Sequence, residues 1–209
     1  MGSGVMDEDN DDKLEALLGD LAQVYKSSEA VEEYRALTAD PETARESLSW
    51  FDETEELTPA ELRKEVFLEL CNRRGLVASV DWAEDYETVL DDLDDQFKAL
   101  SAGLPQDRRD EILRDLDSKC PMERGDAVGW LFGPLAAYAD EFGLAIIALN
   151  TFADMYHFVV VPIALREKWV GKRASPGNLG IVVEDPSWQF EKQLTGSPYQ
   201  RFFRVDGSQ

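Results

Sequence analysis

The hydrophobic pattern of this 209-residue chain changes period at Gly143, and that change constrains the fold more than any other feature. Before it, apolar residues mostly recur at spacings of three and four, the stripe of an amphipathic helix. After it come two compact runs of strand-forming residues, Leu144–Leu149 (L-A-I-I-A-L) and Tyr156–Val161 (Y-H-F-V-V-V). The five residues between them, Asn150-Thr151-Phe152-Ala153-Asp154, predict an antiparallel β-hairpin. Both runs are apolar on both faces, so the sheet should be covered on both sides. Pro162 should end the second strand, with a short helix over Ile163–Val170, a third strand over Asn178–Glu184, and an edge strand or docked tail over Tyr199–Val205.

The earlier part of the chain reads as a series of helices. Leu14, Leu17, Leu18, Leu21 and Tyr25 mark one beginning at Lys13, and Val31, Tyr34 and Leu37 mark a second. Asp40-Pro41-Glu42 opens a third, running through Trp50, with a cap and a proline at the first helical position. Thr58-Pro59-Ala60-Glu61 is a capping box, predicting a helix to Arg74 that Gly75 stops. Its centre, Val66–Cys71, is apolar almost all round, which predicts burial on several sides. Leu76–Trp82 reads as a strand, followed by a helix from Asp81 or Trp82 to about Ala102. Another helix starts at Pro105, with Ile112, Leu113 and Leu116 inward. Pro121–Phe142 is helical, with a break expected at Gly133-Pro134 because proline removes a donor and clashes with the preceding turn. The sum is an α+β fold: a helical, acidic N-terminal part packed on a small, mostly antiparallel C-terminal sheet. Residues 1–12 read as a flexible acidic lead and 13–209 as a single α+β domain.

Charge is as uneven as the hydrophobic pattern. Residues 1–120 hold 33 of the 43 acidic residues but only 13 of the 21 lysines and arginines, so nearly all of the net −22 sits there. Such a field repels nucleic acid and anionic membrane and attracts basic partners. Salt adaptation would make the whole surface acidic, and the near-neutral C-terminal part does not fit it. Ten Phe, six Tyr and five Trp supply ample material for a core. No apolar run reaches the roughly 18 residues of a membrane span, and the acidic N-terminus does not resemble a signal peptide. Cys71 and Cys120 form no C-x-x-C pair, which points to a reduced, cytoplasmic setting.

The densest acidity lies on one helix. Tyr86, Val89, Leu90, Leu93, Phe97 and Leu100 fall inside one arc of roughly 100°. Glu84, Asp85, Glu87, Asp91, Asp92, Asp94 and Asp95 cover the rest, and Lys98 is the single base among them. Like charges at i,i+3 and i,i+4 each cost a few tenths of a kcal/mol. A merely solvated face is the ordinary explanation. The functional one is a docking surface for a basic protein partner, as in an immunity protein or inhibitor, and the alternative is a mimic of nucleic-acid phosphates.

Catalytic motifs are scarce. His157 is the one histidine, so a hydrolase would have to be built on it, with Asp154 nearby and Cys71 or Cys120 brought in by the fold. The simpler account is a hydrogen-bonded histidine at the hairpin. No G-x-S-x-G, H-E-x-x-H, G-x-G-x-x-G or G-x-x-x-x-G-K-[ST] occurs. Asp7, Asp9 and Asp11 match the start of a calcium loop. Asp12 then stands where glycine is needed and Leu18 where a bidentate glutamate is needed, which excludes it. No metal or cofactor is implied. Arg166, Lys168, Lys172 and Arg173 around Trp169 form a basic cluster that could grip a phosphate or an acidic partner, or sit as helix-end charge.

R-G-L-V-A-S-V-D-W (Arg74–Trp82), the acidic helix with V-L-D-D-L, and G-L-A-I-I-A-L-N-T-F-A-D-M-Y-H-F-V-V-V-P (Gly143–Pro162) resemble an uncharacterised bacterial family defined by a domain of unknown function. The resemblance covers about residues 60–165 and implies no activity or cofactor. A looser likeness in size, acidity and α+β build is to bacterial toxin-immunity proteins.

Overall fold

The two apolar runs after Gly143 pair antiparallel as β2 (Leu144–Asn150) and β3 (Met155–Pro162), with Ile147 opposite Val159. The computed structural model describes residues 11–48, 57–81, 84–118, 126–153, 155–175, 180–186 and 202. β1 (Ala78–Asp81) pairs with β3, and β4 (Val182–Glu184) pairs with β2. The sheet order is β1-β3-β2-β4, antiparallel throughout.

Side chains alternate across a strand, and here both faces meet helices. Ile147, Leu149, Val159 and Val161 enter one apolar cluster, under α1 (Asp11–Val24), α2 (Ala30–Thr38), α3 (Pro41–Glu46), α4 (Pro59–Arg73) and α8 (Ile163–Trp169). Ile146, Ala148, Phe158 and Val160 enter the other, under α5 (Tyr86–Ala99), α6 (Gln106–Asp117) and α7 (Asp126–Glu141). This is the expected α+β architecture, with the sheet covered on both sides. No helix among the described residues is long and apolar enough to cross a membrane.

Local sequence explains the element ends. The capping box of α4 forms: Glu61 N–H donates to Thr58 Oγ1 at 3.3 Å, and Thr58 N–H donates to Glu61 Oε2 at 2.9 Å. Asp40 caps α3 by accepting from Thr43 N–H at 2.9 Å, with Pro41 at the first position. Gly75 and Gly143 follow α4 and α7 with φ of +64° and +68°, the left-handed backbone that glycine adopts without steric cost.

Several boundaries differ from expectation. Helix α1 already includes Asp11 and Asp12, and α5 starts at Tyr86 behind an Asp85 cap rather than at Asp81 or Trp82. Strand β1 is shorter than Leu76–Trp82, because Leu76 and Val77 are spent crossing from α4 into the first cluster. Helix α7 runs unbroken through Pro134. Phe132, Leu135, Tyr138 and Ala139 on both sides of the proline are buried, and that packing offsets the one lost helix bond. Of the expected Asn178–Glu184 strand, β4 takes Val182–Glu184, Gly180 and Ile181 precede it, and Asn178 and Leu179 lie outside the described residues. Of Tyr199–Val205, only Phe202 falls among the described residues, packed against the second cluster. Residues 1–10 of the expected lead and Trp82 lie outside them.

The short β1 leaves a gap on the edge of β3. Its pairing ends at Ala78 opposite Phe158, and beyond that the amide of Gln96 takes over. Gln96 Nε2 donates to Phe158 O at 3.1 Å, and Val160 N–H donates to Gln96 Oε1 at 2.7 Å. Tyr25 Oη completes the site, 2.6 Å from Val160 O and 3.0 Å from Gln96 Oε1. Helices on opposite faces of the sheet thus meet at one strand edge.

Candidate functional site

Two regions carry polar groups beyond what folding requires, one on each side of the sheet. The first is the outer face of α5. Asp85 sits at its N-cap and accepts from Glu87 N–H and Thr88 N–H, both at 3.0 Å. Those bonds, Thr88's first, hold its carboxyl below the usual range. Asp91 pairs with Arg109 of α6 at 2.5 Å. Lys98 bridges Asp94 at 3.0 Å and Asp95 at 2.8 Å, and the two carboxylates hold its ammonium above its ordinary value. No ion pair among the described residues involves Glu84, Glu87 or Asp92. Partial burial, followed by the charges of Asp95, Asp91 and Glu84, pushes the Asp92 carboxyl up.

The seven carboxylates are therefore not equivalent. Asp94 does not belong to the solvated face: it is 6% exposed and accepts from Leu104 N–H at 2.6 Å. At 100° per residue it lies about 40° beyond Leu90, on the flank of the apolar arc rather than opposite it. The chain segment leaving α5 folds back over that flank. Tyr138 Oη holds the same segment by donating toward Gly103 O at 2.9 Å and Ala102 O at 3.1 Å. Gln96 occupies the opposite flank and is buried against the edge of β3 and Tyr25.

The second region is a cleft of about 270 Å³ between α4, the β1–β3 edge and the hairpin loop. Its wall on α4 is Lys64, Glu65, Leu68, Glu69 and Asn72, and the sheet and loop contribute Ser79, Thr151, Ala153, Met155 and His157. Ser79 and His157 are register partners, and Ser79 Oγ lies 2.9 Å from His157 Nδ1. Burial, reinforced by the Lys64 charge, lowers the imidazole to about 4. At neutral pH the ring is uncharged, so it exchanges one hydrogen bond with the serine and is a weak base for activating it. Lys64 Nζ pairs with Glu65 at 2.9 Å. The Thr151 hydroxyl oxygen is buried with no hydrogen-bond partner among the described residues, a condition that costs about 1–3 kcal/mol. Beside it, exposed Phe152 holds a φ of +58°, and its N–H donates to Asn150 Oδ1 at 2.9 Å.

Other expected participants fall elsewhere. Cys71 is fully buried in the first cluster, and burial pushes its thiol well up, away from reactivity. Cys120 and Asp154 lie outside the described residues. The basic cluster is largely committed within the chain. Arg166 makes a bidentate pair with Asp185, at 3.0 and 3.2 Å. Lys168 Nζ and Trp169 Nε1 both donate to Asp20, at 2.5 and 2.6 Å, and Lys172 Nζ stands 5.8 Å from the Trp169 ring centre. Among the described residues, no group of three His, Cys, Asp or Glu side chains is placed to hold a metal ion.

Sequence reasoning singled out His157 but missed its surroundings. The signal on α4 was present, since Lys64, Glu65, Leu68, Glu69 and Asn72 recur at three and four and mark one helix face. The pairing of Ser79 with His157 carries no local signal, because it depends on strand register across 78 residues. The resemblance seen over about residues 60–165 is borne out and extends over a longer stretch. No curated protein and no solved structure matches the chain. A family model does match, over residues 9–173, and the chain belongs to that family, described as domain of unknown function DUF6630.

Proposed function

We propose that this protein is a non-enzymatic binding module that docks a basic protein partner on the carboxylates of the outer face of α5 and of the residues leading into it, in the manner of an immunity protein or inhibitor. The observation that carries the reading is the state of Glu84, Glu87 and Asp92. They have no ion-pair partner among the described residues, while Arg109 and Lys98, which do pair with this helix, are engaged by Asp91, Asp94 and Asp95. A chain with net charge −22 that leaves these three unneutralised keeps a local field available to steer a cationic surface. The same field disfavours nucleic acid and anionic membrane as direct partners. The proposal sets the protein in a reducing, cytoplasmic compartment, a setting that suits the free thiol of Cys71.

The test is a Glu84→Gln/Glu87→Gln/Asp92→Asn triple variant, with association rates to a partner captured at low salt measured across a salt series. The variant should associate more slowly and with a flatter salt dependence, at unchanged stability. A rate indifferent both to the substitutions and to salt overturns the reading.

A further inference from the structure

We propose that the cleft between α4 and the β1–β3 edge binds a small, neutral, polyhydroxylated ligand of monosaccharide size. The site lies on the opposite face of the sheet from α5 and does not depend on the docking reading.

Three independent observations converge there. The first is the space itself, about 270 Å³, near the roughly 300 Å³ at which small-molecule pockets begin. The second is Thr151, a lining residue only 4% exposed whose hydroxyl has no hydrogen-bond partner among the described residues. Buried polar groups are nearly always satisfied, and an exception on a cleft wall points to a missing partner. The third is the Ser79–His157 pair, a partly buried serine–histidine contact at 2.9 Å on the cleft wall rather than in the apolar interior.

The lining selects the ligand class. Glu65 and Glu69 only accept, Lys64 only donates, and Asn72, Ser79 and Thr151 do both. Charges of both signs disfavour a simple anion or cation. A zwitterion would have to compete with the Lys64–Glu65 pair, closed at 2.9 Å. Hydroxyl groups can bond to the free lone pairs and protons of that pair without separating it. Leu68, Ala153 and the exposed Met155 give an apolar floor and rim for the C–H face of a sugar ring.

His157 is the single histidine, so its imidazole signals in a heteronuclear NMR spectrum report on this cleft alone. The full chain is titrated with separate aldohexoses and aldopentoses, then with glycine and alanine as zwitterions and with inorganic phosphate as an anion. At least one monosaccharide should shift the imidazole signals saturably, and neither the zwitterions nor phosphate should. Thr151→Val should weaken that binding about tenfold, the equivalent of one hydrogen bond, with a melting temperature equal to or above that of the unaltered protein. Asn72→Ala, on the exposed rim of α4, should weaken it too and serves if the threonine variant does not fold. No saturable shift with any sugar overturns the proposal. So does saturation by a zwitterion or phosphate, or a sugar affinity that both variants leave unchanged.

Discussion

The side-chain amide of Gln96 stands in for a missing strand at Val160. It accepts from Val160 N–H at 2.7 Å while donating to Phe158 O, as a neighbouring peptide group would. Gln96→Leu keeps the volume but leaves both backbone groups buried without partners. The expected loss is about 2–3 kcal/mol, read by urea denaturation. Combining it with Tyr25→Phe should give less than the sum of the two single losses, since the two side chains bond to Val160 and to each other. Strict additivity would count against a shared site.

The carboxylates of α5 should divide into two classes. Asp94→Ala removes the acceptor for Leu104 N–H and one partner of Lys98, and should cost about 1–2 kcal/mol. The triple change at Glu84, Glu87 and Asp92 should stay within about 0.5 kcal/mol of the unaltered protein, or gain slightly as like charges are removed. Thermal melts of the two variants side by side decide it. Equal effects would mean that Asp94 is as solvated as its neighbours.

His157 should make stability depend on pH over a defined window. Its folded value of about 4 lies below its ordinary 6.5, so between these limits the unfolded chain binds the extra proton. Stability therefore rises with pH through this window. The contribution is complete above about 6.5 and is lost as pH falls toward 4, amounting to roughly 3 kcal/mol at most. Comparing denaturation of the protein with that of His157→Gln across this range isolates the effect from the carboxylates. The variant should show a visibly shallower slope.

Arg166 and Asp185 join α8 to the segment after β4 through two hydrogen bonds, with side chains 15% and 8% exposed. Asp185→Ala leaves the largely covered guanidinium without this partner and should cost about 3 kcal/mol. Replacing both partners by apolar residues, Arg166→Met with Asp185→Leu, should cost distinctly less. If the double change proves the worse of the two, the pair contributes more than charge compensation.

The parts of the fold that were legible in sequence are those with local causes. The Thr58–Glu61 box, the Asp40 cap and the period change at Gly143 each act within a few residues, and each element begins where its signal stands, although α3 ends at Glu46, short of the expected Trp50. Pro134 shows the reverse case: a strong local signal for a break is overridden by burial of Phe132 and Leu135 around it. Asp94 and Gln96 were illegible because helical projection fixes an angle but not which neighbour covers it. The cleft was half legible. Its α4 face has a periodic pattern, but Ser79, Thr151 and His157 come together only through the pairing of β1 with β3 and the shape of one loop.

The alternation along β3 has a consequence for how the molecule opens. Phe158 and Val160 belong to one apolar cluster, Val159 and Val161 to the other, so neither layer of helices can peel away without wetting the hairpin. Partial unfolding should therefore be confined to the periphery, and the amides of Ile147 and Val159 should exchange with deuterium only through global unfolding. In that respect the hairpin acts as a clasp common to both halves, and a lesion on either side should be felt by the whole.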